Sequence, residues 1–185
     1  ATFHETAISP DGKLLAFTAT SEGRRQLWLR PLQSATAQPL AGTEGAETPF
    51  WSPDSRRIGF FANGKMKKID ATGGPPQALC DVSSPRGGAW NAEDVIVYSS
   101  LNSGLWRIPA RGGSPSRLTN LTQGRDGLGP DYHRWPVFLS GGRNYVYLVG
   151  GRTRGDDTGI YMGSLDSKES QRLVGDVESG PAYAE

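Results

Sequence analysis

Ile8-Ser9-Pro10-Asp11-Gly12-Lys13-Leu14-Leu15-Ala16-Phe17 returns as Trp51-Ser52-Pro53-Asp54-Ser55-Arg56-Arg57-Ile58-Gly59-Phe60, with Pro53 standing 43 residues after Pro10. A repeat of this length, in a chain with 25 glycines and many short apolar alternations, marks stacked four-stranded units. Serine opens a tight turn and proline presets φ at its first corner. Asp11 can fold its carboxylate onto the following amides, and Gly12 takes the exit position that favours φ > 0. A β-branched residue is therefore expected to be tolerated better at Ser55 than at Gly12. The alternation from Leu14 to Ala19 is apolar on both sides, as in a strand buried on both faces.

Two looser copies follow at Trp90-Asn91-Ala92-Glu93-Asp94-Val95-Ile96-Val97-Tyr98 and at Phe138-Leu139-Ser140-Gly141-Gly142-Arg143-Asn144-Tyr145-Val146-Tyr147. Each copy is followed by a third-strand landmark: Gln26-Leu27-Trp28-Leu29, Lys65-Met66-Lys67-Lys68-Ile69, Gly104-Leu105-Trp106-Arg107-Ile108 and Gly159-Ile160-Tyr161-Met162. Gly73-Gly74-Pro75-Pro76 and Gly112-Gly113-Ser114-Pro115 then precede outer strands, where proline is tolerated. The expected fold is all-β: a β-propeller of four-stranded antiparallel blades spanning about 3–45, 46–83, 84–130 and 131–176, with residues 177–185 starting another. Closed propellers carry roughly four to eight blades. The chain reads as part of a larger ring in preference to a four-bladed ring closed by its own tail. Open blade edges would favour self-association.

Composition suits many turns and aromatic blade cores. The 13 prolines, five tryptophans and six tyrosines agree with this, and the formal charge of +1 has no basic block behind it. Nucleic acid is thus excluded as an expected partner, and no apolar run is long enough to insert into a membrane. The single Cys80 has no intramolecular partner.

Glycine-rich, Ser-Pro-Asp-centred repeats with Leu-Trp-Leu and Gly-Gly-x-Pro landmarks resemble the Pro-Asp, WD-like propeller repeat of TolB-type proteins, over essentially the whole chain. The wording Arg107-Ile108-Pro109-Ala110-Arg111-Gly112-Gly113-Ser114-Pro115 and Lys68-Ile69-Asp70-Ala71-Thr72-Gly73-Gly74-Pro75-Pro76 is similar to propellers that follow the kinase domain in bacterial receptor-like serine/threonine protein kinases. That resemblance implies a non-catalytic sensor or scaffold module on the extracytoplasmic side of a bacterial membrane. The same repeat occurs in gating propellers of prolyl-oligopeptidase-like peptidases and in TolB-like envelope proteins, which supply the alternatives.

Catalytic patterns are missing. No glycine-rich phosphate loop or Asp-Phe-Gly occurs, His133-Arg134-Trp135 is not a kinase catalytic loop, and Gly163-Ser164-Leu165 lacks the second glycine of a nucleophile elbow. His4 and His133 stand without zinc-ligand spacing. No cofactor and no metal are expected. Asp156-Asp157-Thr158-Gly159 reads as a polar hairpin tip, not a calcium loop. Arg154-Gly155-Asp156 and the sequon Asn120-Leu121-Thr122 read as loop composition.

One constellation remains. Four residues before the strand anchors Ile8, Trp51, Trp90 and Phe138 stand His4, Glu47, Arg86 and Arg134, one polar residue per blade at the start of each innermost strand. They are expected to ring the channel mouth and to receive a protein or peptide partner or a small anionic ligand, with Arg125-Asp126-Gly127 and Arg152-Thr153-Arg154 as an outer wall. Charged groups are common at strand ends, and that plainer reading stands beside the ring.

Overall fold

The computed structural model describes residues 2–121, 132–151, 158–175, 177 and 180–181, with side chains from Glu5 onward. Thr122 of the sequon, the loops at 125–127 and 152–154, residues 155–157 and Ala182-Tyr183 lie outside the described residues.

Sixteen strands occur among the described residues, and no helix. The first sheet joins β1 (Thr2–Ile8), β2 (Leu14–Ser21), β3 (Arg24–Pro31) and β4 (Gln38–Pro39) in that order. The second joins β5 (Glu47–Trp51), β6 (Arg57–Ala62), β7 (Lys65–Asp70) and β8 (Gln77–Asp81). The third joins β9 (Pro85–Trp90), β10 (Val95–Ser100), β11 (Leu105–Pro109) and β12 (Ser116–Arg117). The fourth joins β13 (Tyr132–Phe138), β14 (Asn144–Gly150), β15 (Gly159–Ser164) and β16 (Ser167–Gly175). All pairings are antiparallel. The four third-strand landmarks become β3, β7, β11 and β15.

The repeated turn forms as its chemistry dictates. Ser9 Oγ donates to Asp11 Oδ1 at 2.6 Å and accepts from Leu14 N at 2.9 Å. Ser52 repeats both contacts with Asp54 and Arg57, at 2.6 and 2.8 Å. The bond from Ser9 is the main reason the Asp11 carboxyl sits below the usual carboxylate range. In the third copy Asn91 Oδ1 replaces the serine hydroxyl, accepting from Val95 N at 2.8 Å.

The exit residue is left-handed in every copy: Gly12 at φ 68°, Ser55 at 59°, Asp94 at 56° and Gly142 at 66°. The expected tolerance of a β-branched residue at Ser55 is therefore wrong. Hairpin geometry holds that residue at positive φ whatever its side chain, and a β-branched substituent would be strained there as well.

By backbone compactness the chain divides into two units, Ala1–Ser83 with Ala110–Ser114, and Ser84–Pro109 with Pro115–Glu185. In the first unit Leu27, Trp51, Ile58, Phe60 and Ile69 form the core, and Trp51 Nε1 donates to Ala7 O at 2.9 Å, tying the two sheets together. Trp51 is 7% exposed, whereas Ile8, the matching anchor, is 61% exposed. In the second unit Val97, Leu105, Tyr145, Tyr147 and Val149 form the core, and Asn91 Nδ2 donates to Gly142 O at 2.7 Å, joining turn to turn. The second strands β2, β6, β10 and β14 are the most buried strands of their sheets among the described residues, and the outer strand β16 is exposed almost throughout.

Candidate functional site

A β-bulge sets two residues against one and re-aims the side chains beside it. Each first strand has one such irregularity: between Phe3 and Thr6 in β1, between Glu47 and Phe50 in β5, opposite Tyr98–Ser100 in β9 and between Arg134 and Val137 in β13. Three carry a left-handed residue, Thr48 at φ 45°, Gly87 at 106° and Trp135 at 51°. The residues immediately before these three are Glu47, Arg86 and Arg134. The offset read in the sequence thus lands on one recurrent backbone position. His4 lies within the irregular part of β1, and its side chain is outside the described residues.

In the first unit the bulge is electrostatically closed. Glu5 accepts a hydrogen bond from Thr48 N, and Arg25 Nη2 stands 3.4 Å from Glu47 Oε2. The negative charge of Glu47 has its own cation.

In the second unit the bulges pack on each other. A Cβ placed on Gly87 would come within 3.1 Å of Trp135 Cα, so only glycine allows the β13 bulge so close. Arg86 and Arg134, one residue before each, are brought together, and the charge of Arg86 is felt at Arg134. Arg86 Nη1 donates to Pro85 O at 2.9 Å. The Arg134 guanidinium lies 3.7 Å over the Tyr132 ring, and its Nε is buried without a partner. Loss of solvent is the main cause that lowers the Arg134 pKa, and Arg86 adds to it. Neither arginine forms an ion pair among the described residues. A guanidinium fork without an ion pair among the described residues can hold a carboxylate through paired, charge-assisted hydrogen bonds, and two such arginines on adjoining bulges favour it.

Of the four expected residues, the structure therefore joins Arg86 with Arg134, while Glu47 sits in the other unit, neutralised by Arg25. Sequence reasoning missed Tyr132, which props Arg134, and Trp135, whose left-handed backbone turns β13. Gly87 was the available signal, since a glycine just after a ring candidate marks positive φ. Among the described residues no group of three or more His, Cys, Asp or Glu could hold a metal ion, and no helix is long and apolar enough to cross a membrane.

No protein-family model matches the sequence, and no curated protein matches it. Among solved structures, one assigned as TolB from Agrobacterium tumefaciens is 19% identical, covering 90% of this chain and 63% of that one, with a TM-score of 0.74. TolB from Acinetobacter baumannii is 17% identical over 94% of this chain and 44% of that one, at a TM-score of 0.73. An acylaminoacyl peptidase in complex with Z-Gly-Gly-Phe-chloromethyl ketone is 14% identical over 95% of this chain and 32% of that one, at 0.60. The chain spans less than two thirds of the length of each. At these identities the likeness is one of fold: the four sheets are four-stranded antiparallel blades of the TolB-type β-propeller.

Proposed function

We propose that this chain is a non-catalytic binding segment of a larger bacterial propeller, and that it captures a carboxylate-bearing peptide or protein at the bulged first strands. The observation that carries this reading is the pair Arg86 and Arg134, without an ion pair among the described residues, with the Arg134 Nε buried and unpartnered. Repulsion between the two cations is relieved when an anion sits between them, which favours an acidic partner over a neutral one. In a propeller the first strand of each blade lies next to the central channel, so the pair would open onto the channel mouth.

The sequence similarity of residues 68–76 and 107–115 to kinase-linked propellers supports a parent that is a receptor-like serine/threonine kinase with this segment outside the cytoplasm. The fold-level likeness to an acylaminoacyl peptidase supports the second reading, a propeller that gates a peptidase domain. Self-association through open blade edges is part of the first reading, because β16 presents a long exposed edge.

The test is binding of a fluorescent glutamate-rich peptide ending in a free carboxylate, at low salt. The wild-type chain is expected to bind it, and Arg86→Ala with Arg134→Ala to abolish binding while a cooperative thermal transition is retained. Equal binding by both forms, or none by the wild type, overturns the assignment.

A further inference from the structure

The residues before Glu47, Arg86 and Arg134 are buried and differ in kind: Ala46, fully buried, in the first unit, and Pro85 and His133, the latter 5% exposed, in the second. The surroundings match. Thr43 Oγ1 accepts from Leu27 N at 3.0 Å and donates to Leu40 O at 2.5 Å. Thr119 Oγ1 likewise accepts from Leu105 N, at 2.8 Å, but its other contact is His133 Nδ1 at 2.6 Å.

With its lone pair taken by Leu105 N, the Thr119 hydroxyl has its proton available for His133 Nδ1, and in the tautomer that accepts it the ring proton sits on Nε2. No described residue accepts the Nε2–H. The ring lines a cavity of about 260 Å³ together with Thr119, Tyr147, Ser170, Arg117 and Lys168, and none of the eight lining residues is acidic. Arg117 is steadied 4.8 Å over the Trp106 ring. Tyr147 packs 5.0 Å from the imidazole, and Ser170 is hydrogen-bonded to its hydroxyl.

An N–H without an acceptor and two cations without an ion pair among the described residues, around a pocket of this size, converge on a negative oxygen. We propose that this cavity is a binding site for a small oxyanion-bearing molecule, a carboxylate or a phosphate, held by the His133 Nε2–H and by the charges of Arg117 and Lys168. Burial keeps His133 neutral, with its pKa pushed down to about 4, so the donor persists through the physiological range. The site lies on other residues than Arg86 and Arg134.

Only two histidines occur in the chain, so the His133 imidazole can be followed by NMR in the full chain. Inorganic phosphate and citrate are titrated separately at constant ionic strength, with sodium chloride as control. A saturable shift confined to the His133 ring with one anion and not chloride supports the site, and which anion saturates tells phosphate from carboxylate chemistry. Lys168→Gln and Arg117→Gln should each weaken the response on the order of tenfold, the effect of one lost charge-assisted contact. Arg86→Ala with Arg134→Ala should leave it intact. A shift matched by chloride, one unchanged in both Gln variants, or one lost with the Arg86 and Arg134 pair would overturn the proposal.

Discussion

The two units repeat one backbone plan and treat charge in opposite ways. In the first, Glu47 has Arg25, Lys65 is paired with Asp81, and the buried slot before the bulge holds Ala46. In the second, Arg143 grips Glu93 at 2.8 Å and also pairs with Asp166 at the turns, yet the two bulge arginines have no ion pair among the described residues and the slot before Arg134 holds a histidine. Hydrogen-bonded turns and buried second strands recur because geometry demands them. The bulge and the slot before it are where side chains can diverge without cost to the sheets, and there the second unit departs from the first.

The largest test of this contrast addresses how each unit joins its two sheets. Trp51 is nearly buried and donates to Ala7 O, whereas its counterpart Phe138 is only half-buried and has no polar tie. Trp51→Ala is expected to cost about 3–5 kcal/mol, the usual range for a large buried aromatic, and Phe138→Ala about half that. Urea midpoints check it. Equal losses would mean that the sheets of the two units are joined in the same way.

Next in size is a pH dependence that only the second unit should show. His133 is held near 4 by burial, below its ordinary 6.5. Because the folded pKa is depressed for a base, the unfolded chain takes up a proton first as pH falls. Stability is therefore complete above pH 6.5, declines between 6.5 and 4, and levels off below 4, with a total on the order of 3 kcal/mol. The lowered carboxylates Asp11, Asp54 and Asp166 act in the same direction but at lower pH, below about their ordinary 3.8. Unfolding free energy followed from pH 7 to 4 should slope in the wild type and flatten in His133→Gln. A slope that survives in the variant would remove His133 as the cause.

Most of the backbone was legible in the sequence because its turns are chemical. Serine, asparagine and aspartate at fixed offsets satisfy the same amides in the first three copies, so even the third, without Ser-Pro-Asp, could be aligned through Asn91. The offset of four was legible for the same reason, as the bulge recurs at a fixed distance from the anchor. What sits around the bulge was not. Arg25 lies on the third strand of the preceding blade, far from Glu47 in sequence, and nothing in one sequence marks Trp135 as left-handed. His133 read as an isolated residue until Thr119, across a long connection, proved to hold its ring.

A smaller contrast lies in the turn exits. Gly12 and Gly142 are both left-handed, but a Cβ at Gly12 would meet nothing within 4 Å, while one at Gly142 would stand 3.3 Å from the Asn91 Cβ. Gly12→Ala should cost roughly 1 kcal/mol, the strain of the left-handed region alone. Gly142→Ala adds crowding against the residue that ties the two turns, and its loss should be larger. Denaturant midpoints that coincide would show that Asn91 yields freely and that the turn-to-turn bond matters little.

The smallest expected effect is a gain, and it compares two hairpins of the first unit. Asn63-Gly64 joins β6 to β7 with φ of 54° and 73°, and Glu22-Gly23 joins β2 to β3 with φ of 51° and 76°. Both have positive φ at two successive residues, the backbone of a type I′ turn, for which Asn-Gly is the favoured pair. Glutamate lacks the short amide that lets asparagine stabilise this conformation locally. Glu22 is exposed and its side chain makes no hydrogen bond among the described residues, so Glu22→Asn removes nothing the fold uses. It should raise stability by a few tenths of a kcal/mol, about 0.5 at most. The reverse change, Asn63→Glu, should lose somewhat more, because it also forfeits the Asn63 Nδ2 contact to Glu44 O at 3.4 Å. Thermal melts of the two variants against the wild type decide it. If Glu22→Asn lowers the melting temperature, the β2–β3 turn is held by something other than its own backbone preference.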